Sequence, residues 1–275
     1  MIIGLSAKKS VGKDLVAQII RHQEGLILIA KEMGYDSFES FAKFCKINMS
    51  GRDLLSEEEF DMWVDDGSPS LQEDTFKVKR FADKLKEMVA LLIGCTRAQL
   101  EDRDLKETPL GPEWWYYKSN VDGLISPYLE NNDGRFEEPI KAGLVELVKQ
   151  TPRMILQNLG TEGVRGVIHP NAWVNSFMSE YRPKTITESN DEATLTYPKW
   201  VVPDMRFPNE AEVVKQNGGC LIRINRPSLK STDNHPSETA LDNFHDWDYI
   251  IENDGTVSDL IKKVNTVLWD IMRKW

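Results

Sequence analysis

The N-terminal stretch places the strongest constraint on the fold. Met1-Ile-Ile-Gly-Leu5 is a short apolar run, and a small-residue and lysine loop follows it. After the loop, DLVAQIIRH sets Leu15, Ile19 and His22 at helical spacing. This is strand, loop, helix. A strand that is apolar at every position must be covered on both faces, which points to a parallel sheet between helical layers.

The rest of the chain repeats the alternation. Thr75–Phe81 alternates as a strand, and DKLKEMVALLIG follows as a helix that ends at Gly94. Thr96 and Gln99 form a capping-box pair that opens a short helix ending near Lys106. TPRMILQNLG has an N-cap threonine, a first-turn proline and a terminal Gly160. KWVVPD, CLIRINRP and DYIIEN read as strands, while NEAEVVKQNG and TVSDLIKKVNTVLWDIM read as helices. Two stretches stand outside the pattern. Residues 25–70 read as a helical insertion. Residues 107–138, with prolines, glycines and the aromatic run Trp114–Tyr117, read as an irregular excursion rather than a core element. The expected architecture is one α/β domain over 1–275 with a parallel, helix-covered sheet and these two insertions.

Composition narrows the function. The 275 residues hold 34 Lys and Arg against 44 Asp and Glu, a formal net charge of −10. That balance argues against a surface that wraps nucleic acid nonspecifically, so a phosphate site has to be a local basic pocket. The three cysteines, Cys45, Cys95 and Cys220, lack the paired spacing of a zinc site or a disulfide framework. No window approaches the ~20 apolar residues of a membrane span, and Met1–Leu5 is too short for a signal-peptide core. A soluble, cytoplasmic protein is expected.

The loop Ala7-Lys8-Lys9-Ser10-Val11-Gly12-Lys13-Asp14 has the spacing of a Walker A loop. Its N–H groups and the following helix start can cradle an anion, Gly12 permits close backbone approach, and Lys13 can reach β and γ phosphates. Asp14 replaces the usual magnesium-holding Ser or Thr, and a carboxylate is itself a hard oxygen ligand. Asp204 ends an apolar strand, where open α/β sheets present ligand groups, and Arg206, Asn209 and Glu210 follow at once. An acid beside an arginine suits phosphoryl transfer; a capped helix with a surface ion pair accounts for the same residues. Arg153, Gln157, Thr161, Glu162 and Arg165 fit a monophosphate and a base edge, although on these residues alone a solvated helix face is the simpler reading. Trp173 fits a stacked base or a core position beside Phe177.

Taken together, GLSAKKSVGKD, FADKLKEMVALLIG, RAQLEDRDLKE, TPRMILQNLGTEGVR, NAWV, VPDMRFPNEAEVVKQNGG, HPSET and DYIIENDGT resemble the deoxynucleoside monophosphate kinases of bacteriophages, a branch of the P-loop kinases. The resemblance implies a three-layer P-loop kinase core, ATP or dATP as donor, Mg²⁺ as cofactor and a deoxynucleoside monophosphate as acceptor. It assigns donor binding to Lys8, Lys9, Ser10, Val11, Gly12, Lys13, Asp14 and Leu15, with Asn253 and Gly255 at a donor-adenine loop. Lys86, Arg103, Arg153, Gln157, Gly160, Thr161 and Trp173 match acceptor positions, and Asp204, Arg206 and Glu210 match the DxRFxNE cluster. The chain departs from the family at Ala7, where glycine is usual, and at Leu15, where a threonine hydroxyl would hold a phosphate.

The implied chemistry is in-line transfer without a covalent intermediate. Lys13 and the loop hold the β and γ oxygens, Asp14 and Asp204 organise the metal, and Arg206 with Arg153 or Arg103 offsets charge on the moving phosphoryl. Residues 107–138 are the lid candidate. A dephospho-CoA kinase-like enzyme and a non-catalytic nucleotide switch are the competing expectations, and a homodimer is left open.

Overall fold

The computed structural model describes residues 1–48, 51–65, 75–129, 134–187, 193–229 and 235–274. The chain forms two compact units, Met1–Phe81 with Val174–Trp275, and Ala82–Trp173.

The first unit is built on a five-stranded sheet. Its strands, in spatial order, are Tyr249–Glu252, Cys220–Asn225, Ile2–Ala7, Trp200–Val202 and Lys77–Val78, all parallel. Every residue of the central Ile2–Ala7 strand is buried, as its unbroken apolar run requires. Its side chains alternate between two cores. Ile3, Leu5 and Ala7 join Ile222, Ile224, Val201 and Ile251 under the helices Lys13–Glu32 and Val257–Lys274. Ile2 joins Trp200, Val202 and Leu221 on the opposite face, under Ala211 and Val214 of the Pro208–Gln216 helix and under Val174 and Phe177. Each fully buried Ile or Leu contributes ~1.5–3 kcal/mol by removing apolar surface from water. This is the three-layer α/β arrangement expected from the alternation.

The described part of residues 25–70 is largely helical, and the first helix runs on to Glu32. The helices Phe38–Asn48 and Glu57–Asp65 then bring Phe38, Phe41, Ala42, Cys45 and Phe60 into the first core. The Thr75–Phe81 strand shrinks to a two-residue ladder at the sheet edge, since Phe76 and Phe81 each turn into a core. A hairpin, Lys184–Thr187 with Ala193–Thr196, had no clear sequence signal.

The second unit holds a small antiparallel sheet in the spatial order Ile125–Pro127, Tyr116–Ser119, Val145–Val148. Two short stretches of the 107–138 excursion, Tyr116–Ser119 and Ile125–Pro127, are therefore strand. Its central strand pairs with residues outside the excursion, a long-range partnership that local periodicity does not reveal. Tyr117 is buried and stacks on Phe136 at 4.0 Å between centroids. The Pro152–Gln157 helix does not stop at Gly160; it widens into a π-type helix, Asn158–Ile168. Among the described residues no helix is long and apolar enough to cross a membrane.

Candidate functional site: a phosphate loop and its flanking charges

All five parallel strands end at the same edge of the sheet, and the loop after Ala7 lies there. Ser10 has φ 64° and Gly12 φ 98°, both left-handed, which folds residues 8–12 into a tight turn at the start of the Lys13–Glu32 helix. A loop of this kind turns its N–H groups inward, where the helix start favours an anion. A Cβ on Gly12 would lie 2.9 Å from Asn253 Nδ2, and that amide donates to the Val11 carbonyl at 2.8 Å. Asn253 therefore braces the loop directly. Gly255 is tight for a local reason: a Cβ there would meet Asp259 Oδ2 at 2.8 Å, at the capping box of the last helix.

Lys13 Nζ sits 2.8 Å from Asp14 Oδ2, and Arg80 Nη2 lies 3.1 Å from the other carboxylate oxygen. Burial pushes the Asp14 carboxyl up, but Lys13 and Arg80 outweigh it and hold the group below the usual range. Asp14 is thus a carboxylate at neutral pH. Leu15 is half-buried and packs against the first core, so its side chain serves the core.

Asp204 follows the Trp200–Val202 strand, and its Oδ1 accepts from the Phe81 N–H at 3.1 Å. Since Arg80 holds Asp14 and Phe81 holds Asp204, one short segment ties both carboxylates to the same end of the sheet. Glu210 is 2 % exposed and its Oε2 accepts from the backbone N–H groups of Arg206 (2.7 Å) and Phe207 (3.1 Å). Its task is to fix the turn that carries Asp204 and Arg206. Arg206 Nη1 reaches the Ala7 carbonyl at 3.4 Å and Glu238 Oε2 at 2.8 Å. Lys8 Nζ donates to the Glu238 carbonyl at 2.6 Å and pairs with Asp242. Sequence reasoning missed Arg80, Glu238 and Asp242. The HPSET motif was the available signal for Glu238; Arg80 and Asp242 had none beyond charge.

The acceptor-matched residues lie in the Ala82–Trp173 unit. Lys86 Nζ binds Glu101 at 2.8 and 3.1 Å, and Arg97 and Lys106 converge on the same carboxylate. Burial raises the Glu101 carboxyl, but Lys86 and Arg97 outweigh it and hold it down at about 2. Arg153 Nε donates to Glu107 Oε1 at 2.6 Å from a helix capped by Thr151, and Arg103 is exposed at the start of a helix capped by Asp102. Gln157 and Thr161 are half-buried. Gly160 and Trp173 do packing work. The Trp173 indole N–H donates to the Gly160 carbonyl at 2.8 Å, and a Cβ on Gly160 would meet Leu85 Cδ2 at 2.7 Å.

A parallel sheet between helical layers, with a left-handed glycine and a lysine turning its first strand into its first helix, defines the P-loop kinase type of α/β core. The comparison with known proteins is more specific. Residues 139–264 match the family model described as deoxynucleotide monophosphate kinase. The chain is 33 % identical over 121 residues to a putative deoxynucleotide monophosphate kinase of Acanthamoeba polyphaga mimivirus, covering 42 % of this chain and 59 % of that protein. It is 30 % identical over 116 residues to the deoxynucleotide monophosphate kinase of Enterobacteria phage T4, covering 42 % and 44 %. With the deoxynucleoside-5'-monophosphate kinase of Escherichia phage T5 it shares 24 % identity over 221 residues, 70 % and 81 % of the two chains. The matched stretch spans about half the length of the mimivirus and T4 proteins. The similarity to phage-type deoxynucleotide monophosphate kinases inferred from the motifs is thus borne out. The family match holds Arg153 through Asn253, whereas the phosphate loop lies before it.

Proposed function

We propose that the protein is a deoxynucleoside monophosphate kinase that transfers the γ-phosphoryl of ATP or dATP to a deoxynucleoside monophosphate, yielding the diphosphate for DNA precursor synthesis. The observation that carries this reading is the loop at Lys8–Asp14, with its left-handed Ser10 and Gly12 and its lysine at the helix start. The family match over residues 139–264 supports the acceptor class.

The residues fit a nucleotide donor with magnesium. Mg²⁺ generally takes one or two carboxylates and completes its shell with phosphate oxygens and water. Asp14 and Asp204 offer hard oxygens tied to adjacent residues, and among the described residues no larger cluster of ligand side chains competes for the ion. When bound, the metal would supply charge neutralisation between the donor phosphates. Lys13 and the loop N–H groups bind the β and γ oxygens. Asn253 keeps the loop in shape, and Arg206 offsets negative charge on the transferring group.

In the Ala82–Trp173 unit, Lys86, Arg103 and Arg153 are the candidates for the acceptor phosphate, and Gln157 and Thr161 for its sugar and base, while Trp173 packs. Residues 107–138 remain the lid candidate, and the whole chain is read as one kinase domain. The enzyme would act in the host cytoplasm without nucleic-acid or membrane partners; sedimentation would read whether it is a homodimer.

The test is a coupled phosphotransfer assay with ATP and Mg²⁺ against dGMP, dTMP, dCMP, dAMP and their ribo-counterparts. Turnover of at least one deoxynucleotide is expected. ATP binding without transfer to any of them would replace this reading with a nucleotide switch or another acceptor.

A further inference from the structure

The HPSET stretch has no part in the reading above, yet it is fastened to two cations at the phosphate loop. Its short helix, Pro236–Thr239, is set by the His235 ring: Nδ1 accepts from the Ser237 N–H at 3.2 Å, and proline occupies the first turn. Leu241, 5 % exposed, anchors the far end in the second core of the sheet unit. Between these anchors lies Glu238, its side chain only 11 % exposed.

Both of its polar ends are engaged. The carboxylate holds Arg206 Nη1 at 2.8 Å, and the main-chain carbonyl holds Lys8 Nζ at 2.6 Å. Arg206 Nη1 also approaches the carbonyl of Ala7, the residue at which the first strand becomes the phosphate loop. A guanidinium has five donors in a planar fork. Holding Nη1 from two sides fixes the plane of the fork, and among the described residues its Nε–Nη2 edge takes no partner. An arginine left to itself would have to lose its rotamer freedom at the moment of reaction.

We propose that Glu238 is a positioning residue for phosphoryl transfer, acting through Arg206: it sets the guanidinium at the mouth of the phosphate loop before substrate arrives. The proposal rests on the kinase reading above. It differs from a competitor role, in which the Glu238 carboxylate would merely occupy Arg206 until a phosphate displaced it. A competitor predicts tighter nucleotide binding once the charge is removed. A positioning residue predicts slower transfer at nearly unchanged affinity.

The experiment compares wild type with Glu238→Gln, Glu238→Asp, Arg206→Lys and the Arg206→Lys/Glu238→Gln double variant. Transfer kinetics and ATP binding are measured by calorimetry and assay, and the Arg206 Nε–Hε resonance is followed in arginine-labelled protein. Glu238→Gln should lower kcat by on the order of tenfold or more while the ATP dissociation constant moves by less than about threefold. The Asp variant should fall between, and the double variant should be no slower than Arg206→Lys alone, because both act through one group. The Arg206 resonance should shift or broaden in Glu238→Gln. An unchanged kcat, tighter ATP binding, additive losses or an unmoved resonance would each overturn the proposal. If Glu238→Gln does not fold, the Asp variant decides by the same resonance and kcat. Should wild type transfer no phosphoryl group at all, the kinase reading fails, and the resonance still decides whether Glu238 positions Arg206.

Discussion

The two units hold their candidate site cations by different means. In the sheet unit the phosphate-loop charges are placed by backbone geometry: Lys13 by the strand-to-helix turn, Arg206 by the Glu210-fixed turn, and both beside strand ends whose order the sheet dictates. In the Ala82–Trp173 unit the cations rest on local carboxylates, Lys86 on Glu101 and Arg153 on Glu107, across short helices and a small antiparallel sheet. Placement by backbone survives the loss of any one ion pair, apart from the plane of the Arg206 fork, which Glu238 sets. Placement by a partner carboxylate does not, and an incoming phosphate has to exchange with that carboxylate. The first arrangement suits a donor site that needs fixed geometry. The second suits recognition that tolerates adjustment.

The sharpest test of the contrast sets Lys13→Ala beside Arg153→Ala. Lys13 pairs with the exposed Asp14, an ion pair of small weight in stability, so its removal should leave the melting temperature nearly unchanged. Transfer should fall on the order of a thousandfold, because a charge at the transferring phosphate is lost. Arg153→Ala should raise the acceptor KM roughly tenfold and leave ATP binding alone, as expected for a half-buried cation that contributes to ground-state binding. If Arg153→Ala weakened ATP binding as much as Lys13→Ala does, the division of labour would be wrong.

The same contrast explains what was legible in the sequence. The Ile2–Ala7 strand, the loop after it and the Asp204 turn are local patterns, and each was found where the apolar run or the motif placed it. The antiparallel sheet was not legible, because Tyr116–Ser119 completes its ladders only with Val145–Val148, about thirty residues on. Gly160 looked like a helix stop since glycine commonly ends helices, but here it admits Leu85 and the helix runs on. Glu238 was visible only as part of a motif; its pairing with Arg206 spans 32 residues and needs the fold.

Acid should separate the units. His22 is 8 % exposed in the sheet unit, against Phe60 and Trp63. Burial lowers its pKa to about 4, with Glu59 pulling it back up and Arg52 pressing it further down. The unfolded chain takes up that proton near pH 6.5 and the folded chain near 4. Stability from keeping His22 neutral is therefore fully present above about pH 6.5 and is lost as the pH falls towards 4, a cost of about 3 kcal/mol by linkage. The described part of the Ala82–Trp173 unit contains no buried histidine. Denaturant melts at pH 7 and pH 4.5 should show the sheet unit weakening, and His22→Leu should remove most of that difference. Equal pH sensitivity in wild type and His22→Leu would assign the effect to other groups.

The smallest effect bears on Trp173, for which a base-stacking role and a packing role make opposite predictions. The indole is 6 % exposed, and its N–H is spent on the Gly160 carbonyl. Trp173→Phe keeps an aromatic face but removes the donor and some volume, leaving the carbonyl short of a partner. That should cost about 1–2 kcal/mol of stability, seen as a melting temperature lower by a few degrees. The acceptor KM should change by less than about twofold for every base that the enzyme accepts, because a buried ring offers no face to a nucleotide. A Phe variant with unchanged melting and a raised KM would reverse the assignment. It would return Trp173 to the acceptor's base and leave Gly160 held by the close approach of Leu85 alone.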